Sequence, residues 1–161
     1  MHDDVDRAVT AFREVFFDGL PVMLRQNETS FLSFMCIMAA TDALSAYRYD
    51  SNNVGDRFKD FITEYFGDVY RPHAENLYKF RCRLLHNFSP AYFTLVHGRR
   101  GMHLKPSAIG DYVLEDVTLF EDMRTAGEKY FAELGASSDL RAKMLTRLTD
   151  VHKGGAIYIS G

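Results

Sequence analysis

"YKFRCRLLHNFSP", residues 78–90, decides how this chain is read. With residues about 100° apart round a helix, Leu77, Phe80, Leu84 and Phe88 fall on one face, an apolar stripe that needs burial. Pro90 disfavours helical backbone at Ser89, so the helix closes near Phe88. Arg81 lies inside the same stripe. A guanidinium keeps its proton, and one turned inward needs a carboxylate or several acceptors. Asp42 is the expected partner, because it shares the inward stripe of an earlier helix with Phe31, Met35 and Met38. An Asp42–Arg81 ion pair inside a helical bundle is therefore the first structural expectation.

Periodicity extends that bundle in both directions. Val5, Ala8, Val9, Phe12, Val15 and Phe16 recur at three- and four-residue steps and predict an amphipathic first helix, ended by the "DG" at Asp18 and Gly19. A second begins at the cap residues "NETS", 27–30, and runs apolar on nearly every side to about Tyr47, which places it centrally. Phe58, Phe61, Ile62, Tyr65 and Phe66 stripe a third that stops at Gly67. The opening stretch lies in the fourth, after a turn at "YRP", 70–72. Beyond Pro90 the pattern changes. "AYFTLVHGRRGMHL" sets strand-favouring residues on either side of Gly-Arg-Arg-Gly and reads as a small hairpin, with "DYVLED", 111–116, as a third strand. Phe120, Met123, Gly127, Tyr130, Phe131 and Leu134 then stripe a fifth helix, and Leu140, Met144, Leu148 and Val151 a sixth. "GGAIYIS" near the C-terminus reads as a last strand.

The expected fold is mainly α, a bundle of five to six helices with a small β-hairpin or minor sheet after the fourth, in one domain over 1–161. A chain of 161 residues supports one core of ordinary size. A net charge of -3 excludes a broad basic face for a long duplex and leaves room for a local arginine cluster on one phosphate. Cys36 and Cys82 have no framework spacing and read as reduced thiols of a cytoplasmic protein. The acidic start "MHDDVDRAV" is unlike a secretory leader. The most apolar run, 31–40, falls short of the roughly 20 residues of a bilayer span, so no membrane partner is expected.

His86 is about 140° from Arg81 on the outer side of its helix. It shares that side with Lys79, Cys82 and Arg83, at the carbonyl end of the helix, where an imidazolium is favoured. Arg81 and His86 form R-x-x-x-x-H near the end of a helix in an all-helical bundle, which resembles the HEPN superfamily over residues 31–88. That superfamily includes metal-independent endoribonucleases of toxin, defence and RNA-processing systems as well as non-catalytic binding and scaffolding modules. The resemblance implies that Arg81 holds the scissile phosphate and that His86 helps move the proton of the attacking 2'-hydroxyl, leaving a cyclic phosphate. It implies a homodimer with the site between protomers, RNA of small footprint and an antitoxin or other partner protein as ligands, and no cofactor or metal. Arg83, Lys79 and Asn87 would bind substrate beside the pair. Where catalytic members carry Asn, Asp or His after the arginine, this chain has Cys82. The alternative is a non-catalytic dimeric module that binds a partner, a nucleotide or RNA, in which Arg81 and Asp42 hold the core and His86 caps a helix.

Other residues carry weaker chemistry. Cys82 and His86 are four apart and pair in principle as thiolate and imidazole or as two metal ligands, with no third partner near. His97 and His103 flank the hairpin and are expected as solvated loop histidines, too few for zinc. Arg99 and Arg100 sit at its tip, read as solvating a turn before touching phosphates, and Arg83 can stand in for Arg81. Glu115, Asp116, Glu121 and Asp122 read as the acidic bias of a helix N-terminus before a metal site.

Overall fold

Helix α3 (Ser30–Arg48) organises the molecule because most of its surface is covered. Phe34, Ile37, Met38, Ala40 and Leu44 are buried along it, and α2, α4, α5, α6 and α7 pack round it. Its buried hydroxyls are satisfied by local carbonyls: Ser33 Oγ donates to Thr29 O at 3.1 Å, Thr41 Oγ1 to Ile37 O at 2.9 Å and Ser45 Oγ to Asp42 O at 2.7 Å. The computed structural model describes residues 3–151 of the chain, so the strand expected at "GGAIYIS" lies outside the described residues. By length and composition the 22 residues Asn27–Arg48 would suffice to cross a bilayer, more than the run 31–40 suggested. Their apolarity matches a central position in the bundle.

In chain order the elements are α1 (Asp4–Phe12), α2 (Leu20–Met23), α3, α4 (Val54–Tyr65), α5 (Ala74–Asn87), β1 (Phe93–Val96), β2 (Tyr112–Glu115), α6 (Asp116–Ala136) and α7 (Ser138–Val151). The fold is the mainly helical bundle with a minor sheet that the periodicity predicts. Caps set its boundaries. Asp3 accepts from Asp6 N at 3.0 Å before α1, and Asn53 from Asp56 N at 3.2 Å before α4. The Glu115 carboxylate takes Val117 N and Thr118 N at the start of α6.

Two local expectations are corrected. After Phe12 the first helix widens into a π-helical segment, Arg13–Asp18. The i to i+5 geometry brings Phe12 and Phe17 to the same inward side, so Phe17 is buried and Val15, placed on the stripe by a regular period, is 49% exposed. The hairpin is absent. β1 and β2 pair in parallel, Phe93 opposite Tyr112 and Leu95 opposite Leu114, and the chain between them passes through a single 3-10 turn, Arg100–Met102. Gly98, at φ 66°, turns the chain out of β1. The returning segment meets the other edge of β2, with Leu104 N donating to Val113 O at 2.8 Å.

Small residues place the helices closely. A Cβ on Gly127 of α6 would come within 2.7 Å of the Phe17 ring and 3.2 Å of Leu44, so that position admits only glycine without a shift.

Candidate functional site

α5 delivers ionisable groups to both of its sides. Leu77, Phe80 and Leu84 are fully buried, and the Phe80 ring meets Phe34 and Phe93 edge-on at 6.3 and 5.6 Å. Phe88, expected on that face, is not there: it caps the helix at φ 51° and is 67% exposed. Arg81 reaches inward, and its Nη2 donates to Asp42 Oδ2 at 2.6 Å. The two side chains are 16% and 22% exposed, so water touches the rim of the pair. Burial works against the guanidinium, but the hydrogen bond and charge of Asp42 prevail and raise its pKa.

Two further arginines meet just beyond the C-terminal end of α3. Arg57 of α4 and Arg147 of α7 donate to one carbonyl, Ser51 O, at 3.2 and 2.9 Å. Arg147 Nε also donates to Ala46 O at 3.3 Å, one turn after Asp42 on α3. Among the described residues neither Arg57 nor Arg147 has a carboxylate at ion-pair distance. Burial, then the charges of Arg147 and Arg81, press Arg57 below the ordinary guanidinium value, while Asp42 opposes them. Three buried polar atoms here have no hydrogen-bond partner: Asp42 Oδ1, Arg57 Nε and Arg81 Nε. Arg57 is thus within electrostatic range of the Arg81–Asp42 pair and of Arg147.

The outer side carries the other candidates. α5 stays regular to Asn87, which holds His86 away from Arg81. His86, Arg83 and Asn87 are exposed, and His86 has no hydrogen bond to a described residue. Lys79 bonds Glu75 at 3.5 Å and lies 5.7 Å from the Tyr92 ring. Tyr92 is 42% exposed and, like Phe88, has left-handed backbone, at φ 77°. Phe88 stacks on Phe31 of α3 with centroids 6.4 Å apart. Cys82 is half-buried and lies against Tyr78 and Arg81, whose Nη1 is 3.9 Å from its sulfur, rather than against His86. No thiolate–imidazole pair forms. Among the described residues no group of three or more His, Cys, Asp or Glu could hold a metal ion.

The loop histidines are a correction, since neither is merely solvated. Asp116, fully buried, accepts from Ser30 Oγ at 2.8 Å, Val117 N at 2.9 Å and Gly98 N at 3.4 Å, and His97 Nδ1 lies 2.6 Å from it. His103 Nδ1 accepts from Glu115 N at 3.1 Å, which leaves the proton of a neutral ring on Nε2 to donate to Tyr70 Oη at 2.7 Å. Tyr70 in turn donates to Asp122 Oδ2 at 2.5 Å. Burial keeps His103 below the ordinary imidazole value and Tyr70 above the ordinary phenol value, the latter helped by Asp122. Arg100 forms a bidentate pair with Glu121, both contacts 2.8 Å, and Arg99 is exposed.

Arg57 and Arg147 escape a reading of the sequence. Arg147 had a signal of the kind that exposed Arg81: it follows Met144 by three positions and precedes Leu148, inside the apolar stripe of its helix. Arg57 has none. A surface hollow of about 810 Å³ between α1, α3 and α7 is lined by Phe12, Phe16, Tyr47 and Leu148 and by none of these ionisable groups. No protein-family model, curated protein or solved structure matches this chain.

Proposed function

We propose that the chain is a HEPN-like domain that binds a short single-stranded stretch of RNA at the C-terminal end of α5 and holds it without cutting it. What carries this is the display of Phe88 and Tyr92, 67% and 42% exposed on left-handed backbone. Side chains other than glycine are strained there by about 1 kcal/mol or more, a cost that persists when a site requires it. Unstacked bases lie on such rings while lysine and arginine take the phosphates, and Lys79, Arg83 and His86 are exposed along the outer side of α5. The net charge of -3 suits a small footprint. A cytoplasmic setting belongs to the same proposal and suits two cysteines that are both thiols.

Holding rather than cutting is supported by Arg81, engaged with Asp42 on the side of the helix away from His86. A phosphate seated on one would be out of reach of the other within a single chain. The test is fluorescence anisotropy with labelled single-stranded RNA in chelator, alongside a cleavage gel. The expected result is binding that weakens on the order of tenfold or more in Phe88→Ser, since one base–aromatic stack is worth roughly 1–3 kcal/mol, and intact RNA throughout. Cleavage by the wild type that disappears in a folded His86→Ala would replace this reading with the nuclease, a second copy supplying the missing Arg or His. Absence of RNA binding by the wild type would sink both.

A further inference from the structure

From the hollow between α1, α3 and α7, we infer a second binding site, which takes a small neutral ring compound bearing one hydroxyl or carbonyl group. It does not rest on the RNA proposal. The hollow encloses about 810 Å³, within the roughly 300–1,000 Å³ of small-molecule sites. Helix α7 packs against both α1 and α3, and Ala8, Ala11 and Ala43 line the space left between those two. Single methyl groups are too short to close it. One wall is made by an unusual backbone. The π-helical segment Arg13–Asp18 turns Phe17 into the core and leaves Val15 and Phe16 on the hollow, where a regular period would have carried Val15 inward. Segments of this kind are rare and recur at functional sites. Gly19 permits this one, since a Cβ there would lie 2.4 Å from the Val15 carbonyl oxygen. Val15 of that wall and Leu145 of α7 are large apolar side chains left exposed at the hollow.

The lining sets the chemistry of the ligand. Its two charged residues, Asp4 and Arg7, pair with each other, so a charged ligand finds no counter-ion and would lose its hydration without return. Phe12, Phe16 and Tyr47 present rings, the first two with centroids 4.8 Å apart and tilted by 44°, an array that favours a further ring over a flexible chain. Among the described residues the Tyr47 hydroxyl has no hydrogen-bond partner. Burial pushes its pKa up, so it remains a donor, and a ligand hydroxyl or carbonyl is the acceptor it requires. The Thr149 hydroxyl already donates to Leu145 O at 3.0 Å or less, at 2.9 Å, which leaves Tyr47 as the open neutral donor of the lining.

Chemical-shift titration of the isotope-labelled full chain with naphthol, naphthalene and naphthoate tests this. Naphthol is expected to bind most tightly and to shift amides of α1, α3 and α7. Naphthalene, which lacks the hydroxyl, should bind roughly two- to tenfold more weakly, the worth of one neutral hydrogen bond. Naphthoate should bind more weakly than either. Tyr47→Phe should remove the preference for naphthol over naphthalene, and Leu145→Asp, a change at an exposed position, should abolish binding of both in a chain whose spectrum remains that of a folded protein. Light scattering at the same concentrations should give a mass that neither naphthol nor Leu145→Asp alters. A dimer that Leu145→Asp dissociates would assign the hollow to a second copy and overturn the site. So would absence of naphthol binding, naphthoate bound as tightly as naphthol, binding that survives Leu145→Asp, or a naphthol preference that survives Tyr47→Phe.

Discussion

Two inward-facing carboxylates, one sealed from water and one 22% exposed, show how differently one bundle treats a charge. Asp116, at the start of α6, meets a ring of donors from Ser30, His97, Gly98 and its own helix. Asp42, in the middle of α3, has one donor, Arg81, on one oxygen and none on the other, while the Arg57 guanidinium stands within electrostatic range. The first network is closed: it ties α3, the turn after β1 and α6 together and leaves nothing for a ligand. The second is open, with Arg81 Nε and Asp42 Oδ1 both unmet. A closed network is a structural device and an open one is a candidate site.

The comparison breaks hardest at Asp116. Asp116→Ala leaves donors on Ser30, His97, Gly98 and Val117 without an acceptor in a dry environment, and should destabilise the fold by about 3–4 kcal/mol in denaturant unfolding. A loss under roughly 1 kcal/mol would show that water replaces the carboxylate and that the network is not closed.

Asp42→Ala comes next, at about 2 kcal/mol, reduced because Arg81 keeps some contact with water. In an Arg81→Met background the same change should cost much less, and the double-mutant cycle measures the pair. Full additivity would mean that the pair is energetically idle.

The smallest effect sharpens the closed side. His103 and His73 both sit below the ordinary imidazole value because burial disfavours their charged forms. The unfolded chain therefore binds these protons more readily. Stability from this source is complete above the unfolded value of about 6.5 and is lost as pH falls below it, by at most about 1.4 kcal/mol per pH unit for each histidine. Unfolding free energies measured from about pH 7 down to 5 should fall with that sign, and less steeply in His103→Gln. A rise in stability over the same interval would contradict the His103–Tyr70–Asp122 relay.

Helical periodicity made most of the bundle legible. The stripes of α4 and α6 are buried as their spacing requires, as are Met144 and Leu148 of α7, and the arginine inside the α5 stripe pointed to the carboxylate inside the α3 stripe. Misreadings occur where period and local propensity stop governing. Val15 and Phe17 exchanged places because the helix widened, and the hairpin vanished because β1 found its partner 19 residues away in register, Phe93 with Tyr112. His97 and His103 look like loop residues because their partners, Asp116 and Tyr70, are distant in sequence or hidden in an acidic run.

Local sequence thus settled most of the helical segments, most of their apolar faces, and that Arg81 needs an anion, since these follow from neighbours within a turn or two of chain. Tertiary packing alone decided that Arg57 and Arg147 share the Ser51 carbonyl, that His86 is left outside, and that one carboxylate is saturated while the other is not. Coulombic and hydrogen-bonding energies depend on separation in space, and for groups drawn from four helices only the packed fold sets that separation.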